Sequence, residues 1–207
     1  MKKFYLSILF WGSLWGIAEA SVGFGLHKAA VFLPGLPGFL MFPVAFYFMN
    51  SVYKSTGKPA AVFLISIITA AFKLFDFVLP SYDAVRIVNP AVSILMEGLA
   101  VSLVFKLISP KGKLLRYIQA LGMGVAWRMM FAIHLLIISL FGLPAALVTS
   151  GIAVAFRFIF VESLVNSLII SAYLWFAERR PACRASGIKP LYACAAFLLA
   201  VGLQLIL

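Results

Sequence analysis

The feature that most constrains this chain is a succession of seven apolar segments separated by short polar loops. The segments are, in order, Phe4–Phe24, Phe39–Tyr53, Ala60–Leu79, Pro90–Ile108, Ile118–Phe141, Ile152–Phe176 and Leu191–Leu207. A helix needs about 20 apolar residues to cross the ~30 Å hydrocarbon core of a bilayer. Only 11% of the residues are charged, whereas soluble domains carry about 25%. The chain is therefore predicted to be an integral membrane protein with an all-α, polytopic helical bundle and no sizeable soluble domain.

The first segment also has features of a cleavable signal peptide. Two lysines precede the apolar run, and the sequence AEAS at residues 18–21 resembles a small-residue cleavage site. Against cleavage, the apolar character continues as far as Phe24, which makes the segment long enough to span a bilayer. We therefore expect this segment to remain as a membrane helix.

Lysine and arginine are distributed unequally between alternate loops. With the N-terminus on the cytoplasmic side, twelve of the seventeen basic residues fall on that side: Lys2, Lys3, Lys54, Lys58, Lys106, Lys111, Lys113, Arg116, Arg179, Arg180, Arg184 and Lys189. Lys28 and Arg86 fall outside, and the remaining three lie within segments. Because cytoplasmic loops carry the excess of positive charge, we predict a multi-pass protein of the inner (cytoplasmic) membrane with a cytoplasmic N-terminus. The same distribution accounts for the net charge of +11 without nucleic acid as a partner.

Charged side chains within the apolar segments are the main functional signal. Seven of them and one histidine are predicted to lie in the outer half of the membrane: Glu19, Lys73, Asp76, Glu97, Arg128, His134, Arg157 and Glu162. An ionised side chain in hydrocarbon costs at least ~2.5 kcal/mol. These groups are therefore expected to pair with one another or to line a polar cavity. Lys73 and Asp76 are three residues apart on one helix face and are expected to pair.

Two interpretations of these charges remain open. They form a structural network of ion pairs that fixes helix register, or they line a cavity, open to the outside, that binds a solute. For the second interpretation the candidate substrate-binding residues are Trp15, Glu19, Glu97, Arg128, His134, Arg157, Glu162 and Asn166. The arginines would hold anionic groups of the solute through bidentate contacts. The glutamates would accept hydrogen bonds from its amine or hydroxyl groups, and Ser93 and Asn166 each lie four residues from a glutamate.

Metal binding and catalysis have little support in the sequence. His27 and His134 are the two histidines, and neither belongs to a metal-binding spacing. The Gly-Lys pair at 57–58 lacks the other residues of a phosphate loop. The chain is therefore expected not to be an enzyme and to need no metal or other cofactor. Cys183 and Cys194 have no paired spacing and are expected to be free thiols.

Gly12, Gly16 and Ala20 lie four residues apart and form a stripe of small residues along the first segment. Small residues allow a second helix to approach closely. The stripe is therefore predicted to be a docking face for another helix.

The layout resembles that of the substrate-binding S component of energy-coupling-factor (ECF) transporters, a branch of the ABC transporters. The resemblance covers about residues 4–180 and rests on three stretches: PGLPGF in the long loop Gly25–Gly38, MFPVAF at Met41–Phe46 and NPAVSILMEGLA at Asn89–Ala100. It implies a six-helix core, an outward-open solute pocket closed by the loop Gly25–Gly38, and docking of a membrane coupling subunit on the small-residue stripe. Cytoplasmic ATPases would be further partners.

The seventh segment departs from the six helices of that family. Residues 1–180 are therefore predicted to form an S-component-like six-helix core, and residues 181–207 a basic cytoplasmic loop and an appended membrane helix.

The leading hypothesis is a solute-binding subunit of an ECF-type uptake transporter that captures a small polar or charged molecule from outside. One alternative is a small proton-coupled secondary transporter in which Glu19, Glu97 or Glu162 carries the proton. Another is a non-transporting membrane scaffold subunit.

Overall fold

The computed structural model describes residues 2–29, 36–78, 84–108, 112–179 and 188–206, and these residues contain helices but no β-strand. Seven long helices, α1 to α7, are found in the described residues. α1 consists of Lys2–Ala18, a π-helical turn Glu19–Gly23 and Phe24–Ala29; α2 is Leu36–Thr56; α3 is Pro59–Leu74 followed by a 3-10 turn, Phe75–Val78; α4 is Ala84–Leu107; α5 is Lys113–Ser139; α6 consists of Ile152–Phe156, a π-helical turn Arg157–Val161 and Glu162–Arg179; and α7 is Pro190–Ile206. One short helical turn, Ala146–Thr149, lies between α5 and α6.

Within the described residues, α1 to α6 each contain a stretch long and apolar enough to cross a membrane. These stretches are Lys2–Leu26, Leu36–Thr56, Pro59–Val78, Ala84–Leu107, Lys113–Ser139 and Ile152–Ala177. α7 is also apolar but has 17 residues, which is the lower limit of about 17–25 residues for a membrane span. The predicted all-α membrane bundle, with six long helices and a C-terminal seventh, is confirmed.

Two prolines near the starts of apolar segments lie inside helices. Pro90 is the first residue of the fourth apolar segment, but α4 begins at Ala84 and Pro90 lies inside it. Pro43 is the fifth residue of the second segment, and it lies inside α2, which begins at Leu36. Proline is tolerated inside membrane helices because neighbouring groups can satisfy the carbonyl that its missing N–H leaves unbonded. A proline in an apolar segment is therefore a weaker sign of a helix start than it would be in a soluble protein.

The predicted outer loop Gly25–Gly38 is shorter in the structure. α1 continues to Ala29, and α2 begins at Leu36, so that Pro37 and Gly38 belong to its first turn. The middle of the predicted loop, residues 30–35, lies outside the described residues. Its predicted role as a lid stays a prediction.

Contacts near helix ends show that the start of α1 lies beside the start of α3, and that the end of α2 lies beside the end of α6. The ammonium group of Lys58, just before α3, lies 4.9 Å from the ring centre of Phe4 on α1. The amide of Asn50 near the end of α2 donates to the hydroxyl of Tyr173 near the end of α6, at 3.3 Å. We call this end of the bundle the basic end, because it carries Lys2, Lys3, Lys54, Lys58, Lys106, Lys113 and Arg116. We call the opposite end, where Lys28, Asp76 and Arg86 lie, the cavity end, after the cavity described below.

The small-residue stripe of α1 does receive a neighbouring helix, but that helix is α3 of the same chain. A Cβ atom added at Gly16 would lie 2.5 Å from Cδ2 of Phe72. The hydroxyl of Thr69 donates to the carbonyl of Gly12 at 3.0 Å, and Ala20 is buried. In this structure a separate coupling subunit therefore cannot reach Gly12 and Gly16.

α7 packs along α1 and against the end of α3, whereas α2 contacts α1, α3 and α6. The side chains that α2 directs into the core are Phe42, Phe46, Met49 and Val52, all almost completely buried. The seventh helix is thus in contact with the core helices, next to the docking face that the resemblance assigned to α1.

Candidate solute-binding site

A cavity of about 710 Å³ lies at the cavity end, and α1, α3, α4, α5 and α7 contribute to its wall. Its described lining residues are Ala20, Phe24, Lys28, Lys73, Asp76, Val85, Arg86, Asn89, Pro90, Phe131, Leu135, Pro144, Ala146, Leu147 and Gln204. Small-molecule sites usually have volumes of roughly 300–1,000 Å³ and are mostly apolar, with a few convergent polar groups. The size and composition of this cavity therefore suit a small polar molecule.

Asp76 connects two sides of the cavity wall. Its Oδ2 atom lies 3.1 Å from Nζ of Lys73, so the predicted pairing of these residues is confirmed. Gln204 of α7 donates to its other carboxylate oxygen. Because α7 thereby contributes a polar group to the wall, it is a structural part of the cavity.

The charge of the cavity wall is positive. Lys28, Lys73 and Arg86 contribute three positive charges and Asp76 one negative charge, a net charge of +2 for the described lining residues. The ammonium group of Lys28 lies 4.3 Å from the ring centre of Phe24, which also lines the cavity. Such a wall attracts an anionic group more strongly than a cationic one.

A second polar cluster lies in the middle of the bundle, around the fully buried side chain of Arg128. Its Nη2 atom donates to the carbonyl of Gly38 at 3.2 Å, and its Nη1 atom donates to the hydroxyl of Ser163 at 3.3 Å. Nη2 lies 3.8 Å from Oε2 of Glu162. With the Asn166 amide oriented so that both of its polar atoms are satisfied, its oxygen accepts from Arg128 Nη2 at 2.8 Å. Arg128 thus joins α5, α6 and the start of α2.

Aromatic rings enclose the Arg128 guanidinium. The ring centres of Trp127, Phe158 and Phe42 lie 4.5, 5.5 and 5.9 Å from its Cζ atom. Contacts of this kind stabilise a cation that is shielded from water. Most of the hydrogen-bonding capacity of Arg128 is used within the chain, although its Nε atom has no hydrogen-bond partner. The arrangement accordingly resembles a structural ion-pair network more than an empty binding site.

Glu97 is a buried carboxylate near the middle of α4. The hydroxyl of Ser93 donates to its Oε1 atom at 3.4 Å, as the four-residue spacing predicted. Its Oε2 atom is buried without a hydrogen-bond partner. The carboxylate is close enough to interact electrostatically with both Glu19 and Arg128. On α1, the indole nitrogen of Trp15 donates to Glu19 at 2.9 Å.

Each π-helical turn adjoins an intramembrane glutamate. The first begins at Glu19, and the second, Arg157–Val161, ends immediately before Glu162. A π-helical turn brings residues five apart onto one face, and Nε of Arg157 lies 3.7 Å from Oε1 of Glu162. Such turns occur frequently at functional sites. We find no feature of the sequence that marks these turns.

The eight predicted site residues fall into separate groups. Glu97, Arg128, Glu162 and Asn166 lie in the middle of the bundle, Trp15 and Glu19 pair on α1, Arg157 pairs with Glu162, and His134 lies 3.2 Å from Asn89. None of the eight is among the described residues that line the cavity. Of these groups, His134 is in direct contact with the lining, because Asn89 belongs to it.

Sequence reasoning named none of the cavity-lining residues as substrate-binding, although Lys73 and Asp76 were among the charged groups expected to pair or to line a polar cavity. Lys28 and Arg86 were attributed to outer loops, and Gln204 was not predicted to contact the core. The helix ends that carry these residues are distant in sequence and meet through tertiary packing alone. An amide in an otherwise apolar segment, as at Gln204, is the signal that could have indicated a buried polar contact.

Metal-binding groups are not brought together in the described part of the chain. No three His, Cys, Asp or Glu side chains among the described residues lie close enough together to hold a metal ion. Cys194 on α7 is exposed and free, and Cys183 lies outside the described residues.

Fold and site together define a polytopic α-helical membrane protein with a basic cavity at one end of its bundle. Comparison of the chain with protein-family models, with curated proteins and with solved structures finds no match in any of the three.

Proposed function

We propose that this membrane protein is a solute-binding subunit that captures a small carboxylated or zwitterionic molecule in the cavity at the cavity end. The observation that carries the proposal is the cavity of about 710 Å³ with Lys28, Lys73 and Arg86 in its wall. Intramembrane charges usually face water-filled cavities and mark solute or ion paths. The positive-inside distribution of the loops supports an outward-facing cavity, because the basic end would then face the cytoplasm.

The cavity wall offers complementary groups for a zwitterion. Arg86 and Lys28 would bind a carboxylate, with the arginine providing a bidentate contact. Asp76 would accept a hydrogen bond from an amine or hydroxyl group of the solute. Asn89, held by His134 at 3.2 Å, would supply a neutral polar contact. The apolar remainder of the wall would exclude water from the bound molecule.

The resemblance to S components extends the proposal to partners. The chain would then work with a membrane coupling subunit and with cytoplasmic ATPases that supply the energy for uptake. Since Gly12 and Gly16 pack against α3, such a coupling subunit would dock on a surface other than this stripe. Copurification of ATPase subunits with the tagged chain from its native membrane tests this extension.

Native mass spectrometry of the detergent-purified chain tests solute binding. The wild type is measured as purified and after titration with small carboxylates and amino acids. In the double variant Lys28→Gln/Arg86→Gln the dissociation constant should rise about 10-fold or more, because two charge-assisted contacts are lost. The matched control, Lys54→Gln/Lys106→Gln, removes two exposed cations at the basic end and should bind like the wild type.

The result also separates the two polar regions. Loss of binding in Arg128→Met with normal binding in Lys28→Gln/Arg86→Gln would move the site to the buried cluster. A wild type that retains and binds no small molecule would contradict solute binding.

A second candidate function, proton-coupled secondary transport, is favoured by one observation. Glu97 and Glu162 lie in the middle of the bundle, and each has a buried oxygen without a hydrogen-bond partner. Carboxylates in such positions serve as proton carriers in pumps and transporters. Uptake into proteoliposomes driven by a pH gradient, without ATPases, and its loss in Glu97→Gln would identify this function.

A further inference from the structure

A second cavity, of about 320 Å³, lies at the basic end between the start of α5 and the second half of α6. Its described lining residues are Lys113, Leu114, Arg116, Tyr117, Ser171, Leu174 and Trp175. We call it the basic groove. Two of these residues are cationic and none is acidic. The proposed solute-binding function does not use this groove, which lies at the opposite end of the bundle.

The polar part of the groove suits a phosphate group. Lys113 and Arg116 are three residues apart in the first turn of α5 and therefore lie on the same face. Lysine and arginine are the main ligands of phosphate in proteins. Across the groove, the hydroxyl of Ser171 on α6 is buried and has no hydrogen-bond partner. A phosphate oxygen would provide the acceptor that this hydroxyl lacks.

The apolar part of the groove suits a lipid. Leu114 is 73% exposed, and Trp175 is partly exposed beside Leu174. Tyrosine and tryptophan are typical of the interface between membrane and water, and the groove contains one of each. Basic pockets between membrane helices on the cytoplasmic side bind the headgroups of acidic lipids. The basic end is the end that the loop charges predict to be cytoplasmic.

We propose that the basic groove binds the phosphate headgroup of an acidic phospholipid. Lys113 and Arg116 contact the phosphate, Ser171 donates to one of its oxygens, and the acyl chains lie along Leu114 on the surface of the bundle.

Native mass spectrometry of the purified full-length chain with added lipid tests this proposal. Phosphatidylglycerol should bind about 10-fold or more tightly than phosphatidylcholine, because phosphatidylcholine carries no net negative charge. In Lys113→Ala/Arg116→Ala the dissociation constant for phosphatidylglycerol should rise about 30-fold. Each basic residue near an anionic lipid surface strengthens binding about 5-fold, and this variant removes two of them. The matched control Lys54→Ala/Lys106→Ala removes two cations from the same end and should change it less than about 3-fold.

Three results would overturn the proposal: equal affinity for the two lipids, an equal loss in the control variant, or a loss in Lys113→Arg/Arg116→Lys as large as in the alanine variant. The last variant retains both charges and should bind phosphatidylglycerol nearly as well as the wild type. If the alanine variant does not fold, the comparison of the two lipids on the wild type still tests the proposal. Binding of inorganic phosphate tests whether the groove recognises a lipid headgroup or a soluble phosphate compound. No binding at millimolar phosphate supports the lipid. Lipid-free phosphate binding that is lost in the alanine variant would instead assign the groove to a soluble phosphate compound.

Discussion

Gln204, near the end of α7, donates a hydrogen bond to Asp76 in the 3-10 turn that ends α3. Both residues are buried, and Asp76 also pairs with Lys73. This contact fastens the C-terminal helix to the wall of the large cavity. The sequence predicted that this helix is appended to a six-helix core. In the structure it is part of the candidate binding site.

The variant Gln204→Leu should lower the free energy of unfolding by about 1–3 kcal/mol, since it removes a hydrogen bond to a buried carboxylate. Equilibrium unfolding in detergent measures the change. The control Leu205→Met changes an exposed neighbour on the same helix and should stay within about 0.5 kcal/mol of the wild type. Equal stability of Gln204→Leu and the wild type would mean that α7 is not fastened to Asp76.

The variant Arg128→Met should destabilise the bundle by about 3–5 kcal/mol, because it leaves Glu162 buried with one charged partner fewer. Arg157 pairs with the same glutamate, but its side chain is 59% exposed. Arg157→Met should therefore cost about 1 kcal/mol or less. Thermal unfolding of both variants in the same detergent provides the comparison. Similar losses in the two variants would contradict the central role assigned to Arg128.

The variant Gly16→Ala tests the packing of α1 against α3. Its new methyl group would lie 2.5 Å from Phe72, and overpacking of this kind costs about 1–3 kcal/mol. Gly122 is also inside a helix but has nothing within 4 Å of an added Cβ atom. Gly122→Ala should therefore be neutral or stabilise the protein by up to about 1 kcal/mol. If Gly16→Ala is as stable as Gly122→Ala in the isolated chain, the stripe is free for a separate partner.

The orientation of the bundle is testable by cysteine labelling in a background that lacks Cys183 and Cys194. Leu143→Cys places a thiol on an exposed residue beyond the end of α5, at the cavity end. Lys106→Cys places one at the basic end. A membrane-impermeant maleimide should label position 143 in intact cells. It should label position 106 only after the cells are lysed, because basic residues accumulate on the cytoplasmic side. The reverse pattern would place the cavity on the cytoplasmic side.

The helices themselves followed from the sequence to a large extent. Apolar segments long enough to span a bilayer identify membrane helices, since a backbone in hydrocarbon must satisfy its own hydrogen bonds. Local spacing also predicted the contacts of Lys73 with Asp76 and of Ser93 with Glu97. Such pairs lie one helical turn apart, so the helix alone brings them together.

The site was predicted less well. The intramembrane charges were expected to pair with one another or to line one outer cavity. Lys73 and Asp76 do line the cavity, but Arg128, Glu97 and Glu162 lie in the middle of the bundle and are not among its described lining residues. Part of the reason is the early start of α4, which places Glu97 deeper than the sequence indicated. The π-helical turn before Glu162 likewise brings Arg157 onto its face.

The sequence by itself determined that this chain forms apolar helices, where their basic ends lie, and which side chains are costly to leave in lipid. These properties depend on the composition and spacing of residues within single segments. The tertiary structure alone decided that α3 covers the glycines of α1, that α7 closes the cavity through Gln204, and that Arg128 is enclosed by three aromatic rings. Partner choice between helices depends on how whole surfaces fit together, and no single segment contains that information.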